Sequence, residues 1–201
     1  MSAAIGEKSI LPNGFKQYKY LTSTSNDSYI DPSISISGRS FEMRLVWIRV
    51  GETHTQHSLP VYWMGENNRE EVLGARQHYG KVQWGSYYYH WANNYYLSDP
   101  TGPNVVTDVT LSWDATTNNY TLTGSVDSIT IENRNNGGQG YIKLRATNLK
   151  LMRFQLSFGG APALDLVPCT NPDGDAGMYD LVNDDFLGDA ENAGYFSVSN
   201  V

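Results

Sequence analysis

Apolar and polar residues alternate along most of this chain. Between residues 40 and 50, Phe41, Met43, Leu45 and Trp47 fall on one face, and Glu42, Arg44, Val46 and Ile48 on the other. A period of two is the mark of a strand with one buried side. Val105, Val109, Leu111 and Trp113 repeat it, residues 114–119 (DATTNN) supply a turn, and residues 120–124 return as the partner strand. A short strand is predicted over 128–132, and residues 135–138 (NNGG) read as a turn, because Asn and Gly tolerate positive φ. Beyond it Ile142, Leu144 and Ala146 point one way, and over 149–158 Met152, Phe154, Leu156 and Phe158 share a face. Residues 66–76 hold helix formers, but Asn67, Asn68 and Gly74 interrupt them, so the segment reads as loop and then strand. Many short strands separated by turns predict an all-β, two-sheet antiparallel sandwich with little helix.

Composition agrees with the pattern. The 201 residues include 19 Gly, 8 Pro and 17 Asn, a supply of turn formers suited to short strands. With 14 Tyr, 6 Phe and 5 Trp against only 17% charged residues, the chain can build a sizeable core and is not a disordered polymer. The net charge of −7 argues against nucleic acid as a partner, because that contact needs clustered cations. The charge is uneven: no Lys or Arg follows Arg153, whereas eight acids do, and a solvated acidic face is the plain reading. No apolar run approaches 18 residues, so no membrane insertion is expected. The opening MSAAIGEKSILPNG has no apolar signal region, and Cys169 is a single cysteine, which together predict synthesis in a cytoplasm.

Two ends of the chain carry a resemblance. Leu11-Pro12-Asn13-Gly14-Phe15, Tyr18, Tyr20-Leu21 and Tyr29-Ile30-Asp31 are similar to the LPxGY…YIDTG opening of a domain common in phages and gut bacteria. The close is more specific: Leu164-Asp165-Leu166-Val167-Pro168-Cys169, Asn171, Gly174, Gly177-Met178-Tyr179-Asp180-Leu181-Val182, Phe186 and Ala193-Gly194-Tyr195-Phe196. Leu73-Gly74-Ala75-Arg76 and residues 141–148 match internal motifs. This pattern resembles the concanavalin A-like, or laminin G-like, jelly roll of phage tail, fibre and head-decoration proteins, found also on bacterial surfaces. The match runs over residues 11–197; Pro32-Ser33 replaces a usual glycine, Phe186-Leu187-Gly188-Asp189 replaces the usual close, and nothing in 77–100 aligns.

The resemblance implies a jelly-roll domain over 11–201 behind a tether at 1–10, with the opening motif beside the closing strand and Pro168 and Pro172 at a strand edge and a turn. It implies a non-enzymatic virion component (head fibre, decoration protein or tail-fibre domain). Its partners would be other virion proteins, sister subunits in a homotrimer, and glycans of the host surface. A bacterial lectin-like adhesion module is the alternative.

The richest segment for contact chemistry is 84–97, where seven of fourteen residues are aromatic. Trp84, Tyr87, Tyr88, Tyr89, Trp91, Asn93, Asn94, Tyr95 and Tyr96 are the candidate carbohydrate- or partner-binding residues. Aromatic faces carry sugar C–H groups, and amides and phenols bond sugar hydroxyls. A core hairpin and a subunit interface explain the same residues.

Catalytic chemistry finds no motif. Glycosidases of this fold place carboxylates in an E-x-D-x-x-E strand, and Glu66, Glu70 and Glu71 do not match it. His54 and His57 lack further metal ligands, and His78 and His90 are single. Asn171, Asp173 and Asp175 are spaced like the start of a calcium loop, but Ala176 and Val182 occupy the positions where an EF-hand needs Gly and Glu, so no cofactor is expected, with calcium on this acidic turn as the alternative. Cys169 has no cationic neighbour to make it a nucleophile.

Overall fold

The computed structural model describes residues 11–25, 27–50, 58–64, 70–75, 81–86, 95–132, 141–190 and 194–201. Its first strands are β1 (Lys16–Gln17), β2 (Tyr20–Ser23), β3 (Phe41–Arg49), β4 (Ser58–Met64), β5 (Glu70–Ala75) and β6 (Lys81–Ser86). β7 (Tyr95–Pro100), β8 (Val106–Asp114), β9 (Asn119–Thr123), β10 (Ser128–Ile131) and β11 (Lys143–Leu144) follow. The last are β12 (Leu149–Phe158), β13 (Ala161–Thr170), β14 (Ala176–Asp180), β15 (Asp185–Leu187) and β16 (Phe196–Ser199). None of the described residues is helical.

These strands make two sheets. The larger runs β10-β9-β8-β3-β12-β13-β14-β15, with β2 on β12, β16 on β2 and β1 on β13; the smaller runs β11-β4-β5-β6-β7. Every pairing of named strands is antiparallel. Met43, Leu45 and Trp47 of β3, Leu111 of β8 and Phe154 of β12 form one buried cluster with Val61, Val82, Leu97 and Leu144 of the smaller sheet. The fold is therefore the two-sheet antiparallel sandwich that the alternation predicts.

The alternation fails at particular residues. In β12 Leu151 pairs with Trp47 but Arg153 with Val46, so Met152 is the extra residue of a bulge. The bulge resets the phase: Leu149 and Leu151 are buried before it, Phe154 and Leu156 after it, and Met152 is half-buried rather than inward. Val105 is half-buried just ahead of β8, and Thr107 takes the buried position there. Pro168 lies within β13 opposite Met178, not at a strand edge. It stands where the strand's other neighbour changes: β13 pairs with β12 up to Leu166, and with β1 at Cys169 and Thr170. Only the Pro168 carbonyl is engaged on that side, accepting from the Tyr18 amide at 2.9 Å. A residue without N–H suits such a gap.

The chain ends meet, since β2 pairs with β16. The opening motif joins the closing one through β13 and by stacking on β14, with the Phe15 and Tyr179 rings 4.9 Å apart and edge to face. Residues 1–10 lie outside the described residues.

One buried carboxylate ties the rims of the sheets together. Asp99 of β7 is 3% exposed. Its Oδ1 accepts from the Ser125 amide at 2.6 Å, the Ser125 hydroxyl at 2.7 Å and the Val126 amide at 3.0 Å, and Oδ2 accepts from the Asp127 amide at 3.3 Å. Asp127 answers by accepting from the Ser98 hydroxyl at 3.2 Å. Residue 124 must be glycine here, because a Cβ would overlap the Asp99 carboxylate. The turn after β9 is thus clamped to the edge strand that carries Tyr95 and Tyr96.

Candidate glycan-contact surface

The aromatic segment connects β6 to β7, at the end of the smaller sheet. Backbone register sets Trp84 opposite Leu73 on one side and opposite Tyr95 on the other, and Gln83 opposite Tyr96. Tyr95 and Tyr96 are half-buried, and Tyr95 packs against the main core. Tyr87, Tyr88, Tyr89, Trp91, Asn93 and Asn94 lie outside the described residues. The structure therefore joins Trp84 to Tyr95 across two strands and sets Tyr96 beside them.

The other sequence candidates are scattered. Glu66, His54, His57, His78 and His90 lie outside the described residues, while Glu70 and Glu71 sit in β5 opposite Met64 and Trp63 of β4. Asn171 and Asp175 bond each other: Asn171 Oδ1 accepts the Asp175 amide at 2.8 Å, and Asn171 Nδ2 donates to Asp175 Oδ2 at 2.9 Å. That reciprocal pair closes the turn between β13 and β14, with Gly174 at φ 94°. Among the described residues no group of three or more His, Cys, Asp or Glu is arranged to hold a metal. Cys169 is buried, and burial pushes its thiol up to about 12. Such a thiol stays protonated at neutral pH.

Two recesses lie where the sequence pointed to none. A groove of about 440 Å³ runs over the outward face of β3, β12 and β13, lined by Arg44, Gln155, Asp165, Leu181 and Val182 among others. Its Arg44, and Arg153 beside Asp165, are committed to carboxylates. Arg44 forks onto Asp108 at 2.9 and 2.6 Å and reaches Gln155 at 3.3 Å, and Arg153 forks onto Asp165 at 2.8 and 2.7 Å. The Asp108 bond holds the Arg44 guanidinium above its ordinary value, against partial burial.

The second recess, of about 530 Å³, lies at the edge where β14, β15 and β16 approach. Thr170, Asp175, Phe186, Asp189, Phe196 and Ser197 supply its functional groups. Gly174, Gly188 and Gly194 also line it and leave backbone bare of side chains. Acids also build the turn at the opposite end of β14, between it and β15. Asp180, 2% exposed, accepts from the Asp165 and Val182 amides, both at 3.0 Å, and the Tyr179 hydroxyl donates to Asp184 at 2.6 Å. That bond pushes the Tyr179 phenol up to about 12. The signal for this cleft was the run of Gly and Asp after Pro168, which sequence alone reads as turns.

No protein-family model matches the chain, and no curated protein matches it. Among solved structures, the chain is similar to a Ruminococcus gnavus IT-sialidase CBM40 bound to alpha2,3 sialyllactose. The identity is 15% over 71% of this chain and 90% of that one, with a TM-score of 0.45. It is also similar to a native heptameric SAP-like pentraxin from Limulus polyphemus, at 9% identity over 69% and 76% of the two chains, with a TM-score of 0.47. A family 7 alginate lyase A1-II' in complex with product is 10% identical over 68% and 75%, with a TM-score of 0.44. Likenesses of this size transfer no ligand and no reaction.

Proposed function

We propose that the chain is a non-catalytic, glycan-binding adhesion module. The observation that carries this reading is the aromatic density of residues 84–97, a segment that ends in the edge strand β7 with Tyr96 half-buried there. Rings and amides in one segment suit the C–H faces and hydroxyls of sugars. A single shallow contact of this kind is weak, and multiple copies turn it into avidity. The test is binding of the purified chain to an array of immobilised glycans, alone and as the Tyr88→Ala/Trp91→Ala double variant. Retention of the parent on at least one glycan, with at least tenfold weaker retention of a variant that keeps its far-ultraviolet circular dichroism, is the expected result. Absence of retention on every glycan, or equal retention of the folded variant, overturns the reading.

A second reading puts the module on a bacteriophage particle. The two motifs that resemble phage domains, at 11–31 and 164–196, form one structural unit through β1, β13 and the Phe15–Tyr179 contact, which favours it. Peptide mass spectrometry of purified particles from cells that carry this coding sequence decides it. Peptides of the chain at structural stoichiometry support the assignment, and their absence removes it.

A further inference from the structure

We infer that the cleft at the β14–β16 edge is a second sugar-binding site, selective for uncharged or amino-bearing sugar residues over acidic ones. The inference rests on the glycan-binding reading and adds a site to it. The volume of about 530 Å³ falls within the range of small-molecule sites. Its polar groups are mostly acceptors. Asp175 and Asp189 bring carboxylates, and Thr170 and Ser197 bring hydroxyls. Asp175 spends one oxygen on Asn171. A carboxylate has about four lone-pair sites, so acceptor capacity for vicinal hydroxyls is left over.

The apolar side of a sugar also has a place. Phe186 is half-buried and offers ring surface, while Phe196, at 9% exposed, closes the floor. Phe186 is held there: its ring lies 5.9 Å from that of Phe15, and it packs over Gly177, where a Cβ would collide with the ring. An aromatic face beside carboxylates suits a ring with C–H groups on one side and donors at its edge.

Charge supplies the selectivity. No Lys or Arg follows Arg153, and the lining contains no basic residue among the described residues; Lys16, the ladder partner of Thr170, is outside it. A carboxylated sugar would bring a third negative charge beside Asp175 and Asp189, with no cation among the described lining residues to offset it. An ammonium group would be attracted instead.

Protein NMR on the full chain tests the site. The probes are a panel of neutral hexoses, D-glucosamine and D-glucuronate, each titrated into the high millimolar range. Shifts of the Gly174, Gly188 and Gly194 amides are expected with at least one neutral hexose or with glucosamine, and not with glucuronate. Asp189→Asn is expected to weaken that response at least tenfold. Should Asp189→Asn fail to fold, Gly188→Leu carries the test. Gly188 is not in the left-handed region, and among the described residues a Cβ there meets only the Phe186 ring, at 3.4 Å, so a larger side chain there obstructs the cleft without backbone strain. Equal shifts with glucuronate overturn the inference. Shifts confined to residues 84–96 overturn it while leaving the glycan-binding reading intact. Absence of any response to these sugars overturns the second site, and the glycan-binding reading then stands or falls on the glycan array.

Discussion

The large sheet turns two different faces outward. Across the middle of β8, β3 and β12 the outward residues Thr110, Ser112, Glu42, Arg44 and Gln155 are polar and at least partly exposed. Across β13 and β14, equivalent positions are Val167, Cys169 and Tyr179, buried in a separate small cluster. Strand alternation treats these positions alike. What differs is the cover. Leu11, Phe15 and Phe186 pack on the apolar trio, and nothing in the described residues packs over Arg44 in the same way. An outward apolar patch on a sheet therefore requires another part of the chain to lie on it, and the opening motif serves that purpose. The same contact makes residues 11–17 part of the domain.

Removing the cover has the largest expected effect. Phe15→Ala takes away a ring that touches Tyr179 and Phe186. Phe15 is half-buried, so the expected cost is about 2–3 kcal/mol, below the range for a fully buried Phe. Urea denaturation measures it. The Cys169 thiol, now under a thinner cover, should react faster with a thiol reagent. A stability change under about 0.5 kcal/mol together with an unreactive thiol would show that the cover is dispensable.

Alkaline pH probes the covered end from another side. Burial raises the Cys169 thiol from an ordinary value near 9 to about 12, and the Asp184 bond raises the Tyr179 phenol from 10 to about 12. Both groups prefer the proton more in the folded chain than in the unfolded one. Their contribution to stability is therefore complete below pH about 9 and is lost as pH rises toward about 12. The urea midpoint should fall through this window. Cys169→Ser should remove the lower part of the fall and leave the part that begins near pH 10. A midpoint flat from pH 8 to about 11 would contradict the burial of this cluster.

Much of the large sheet is legible in the sequence because alternation in β3, β8 and β9 is local. Met152 escapes that reading. A bulge changes the phase of every residue after it but leaves composition untouched, so Met152 looks as inward as Phe154. Pro168 escapes for a different reason: its place inside β13 depends on a neighbour strand that ends and on another, from the far end of the chain, that begins. Asp99 and Gly124 are 25 positions apart, and neither shows in the sequence that it needs the other. The candidate site divides in the same way. The aromatic segment at 84–97 can be seen as composition, but the pairing of Trp84 with Tyr95 is set by the register of β6 and β7. The cleft is assembled from the ends of β13 and β14 together with β15 and β16, and only their approach creates it.

The smallest expected effect concerns the two forked ion pairs, which lie at different distances from the cover. The Arg44 and Asp108 side chains are 45% and 42% exposed, while those of Arg153 and Asp165 are 29% and 18% exposed, next to the covered end. Exposed pairs contribute little, since water screens their attraction and two side chains must be held still. Double-mutant cycles with alanine should give a coupling of roughly 0.2–0.5 kcal/mol for Arg44–Asp108 and about 1 kcal/mol for Arg153–Asp165. At 1 M salt the first should nearly vanish while part of the second survives, because a less exposed pair is screened less. Two equal couplings with equal salt sensitivity would mean that the protection on this sheet face stops at Val167, Cys169 and Tyr179 and does not reach the neighbouring pair.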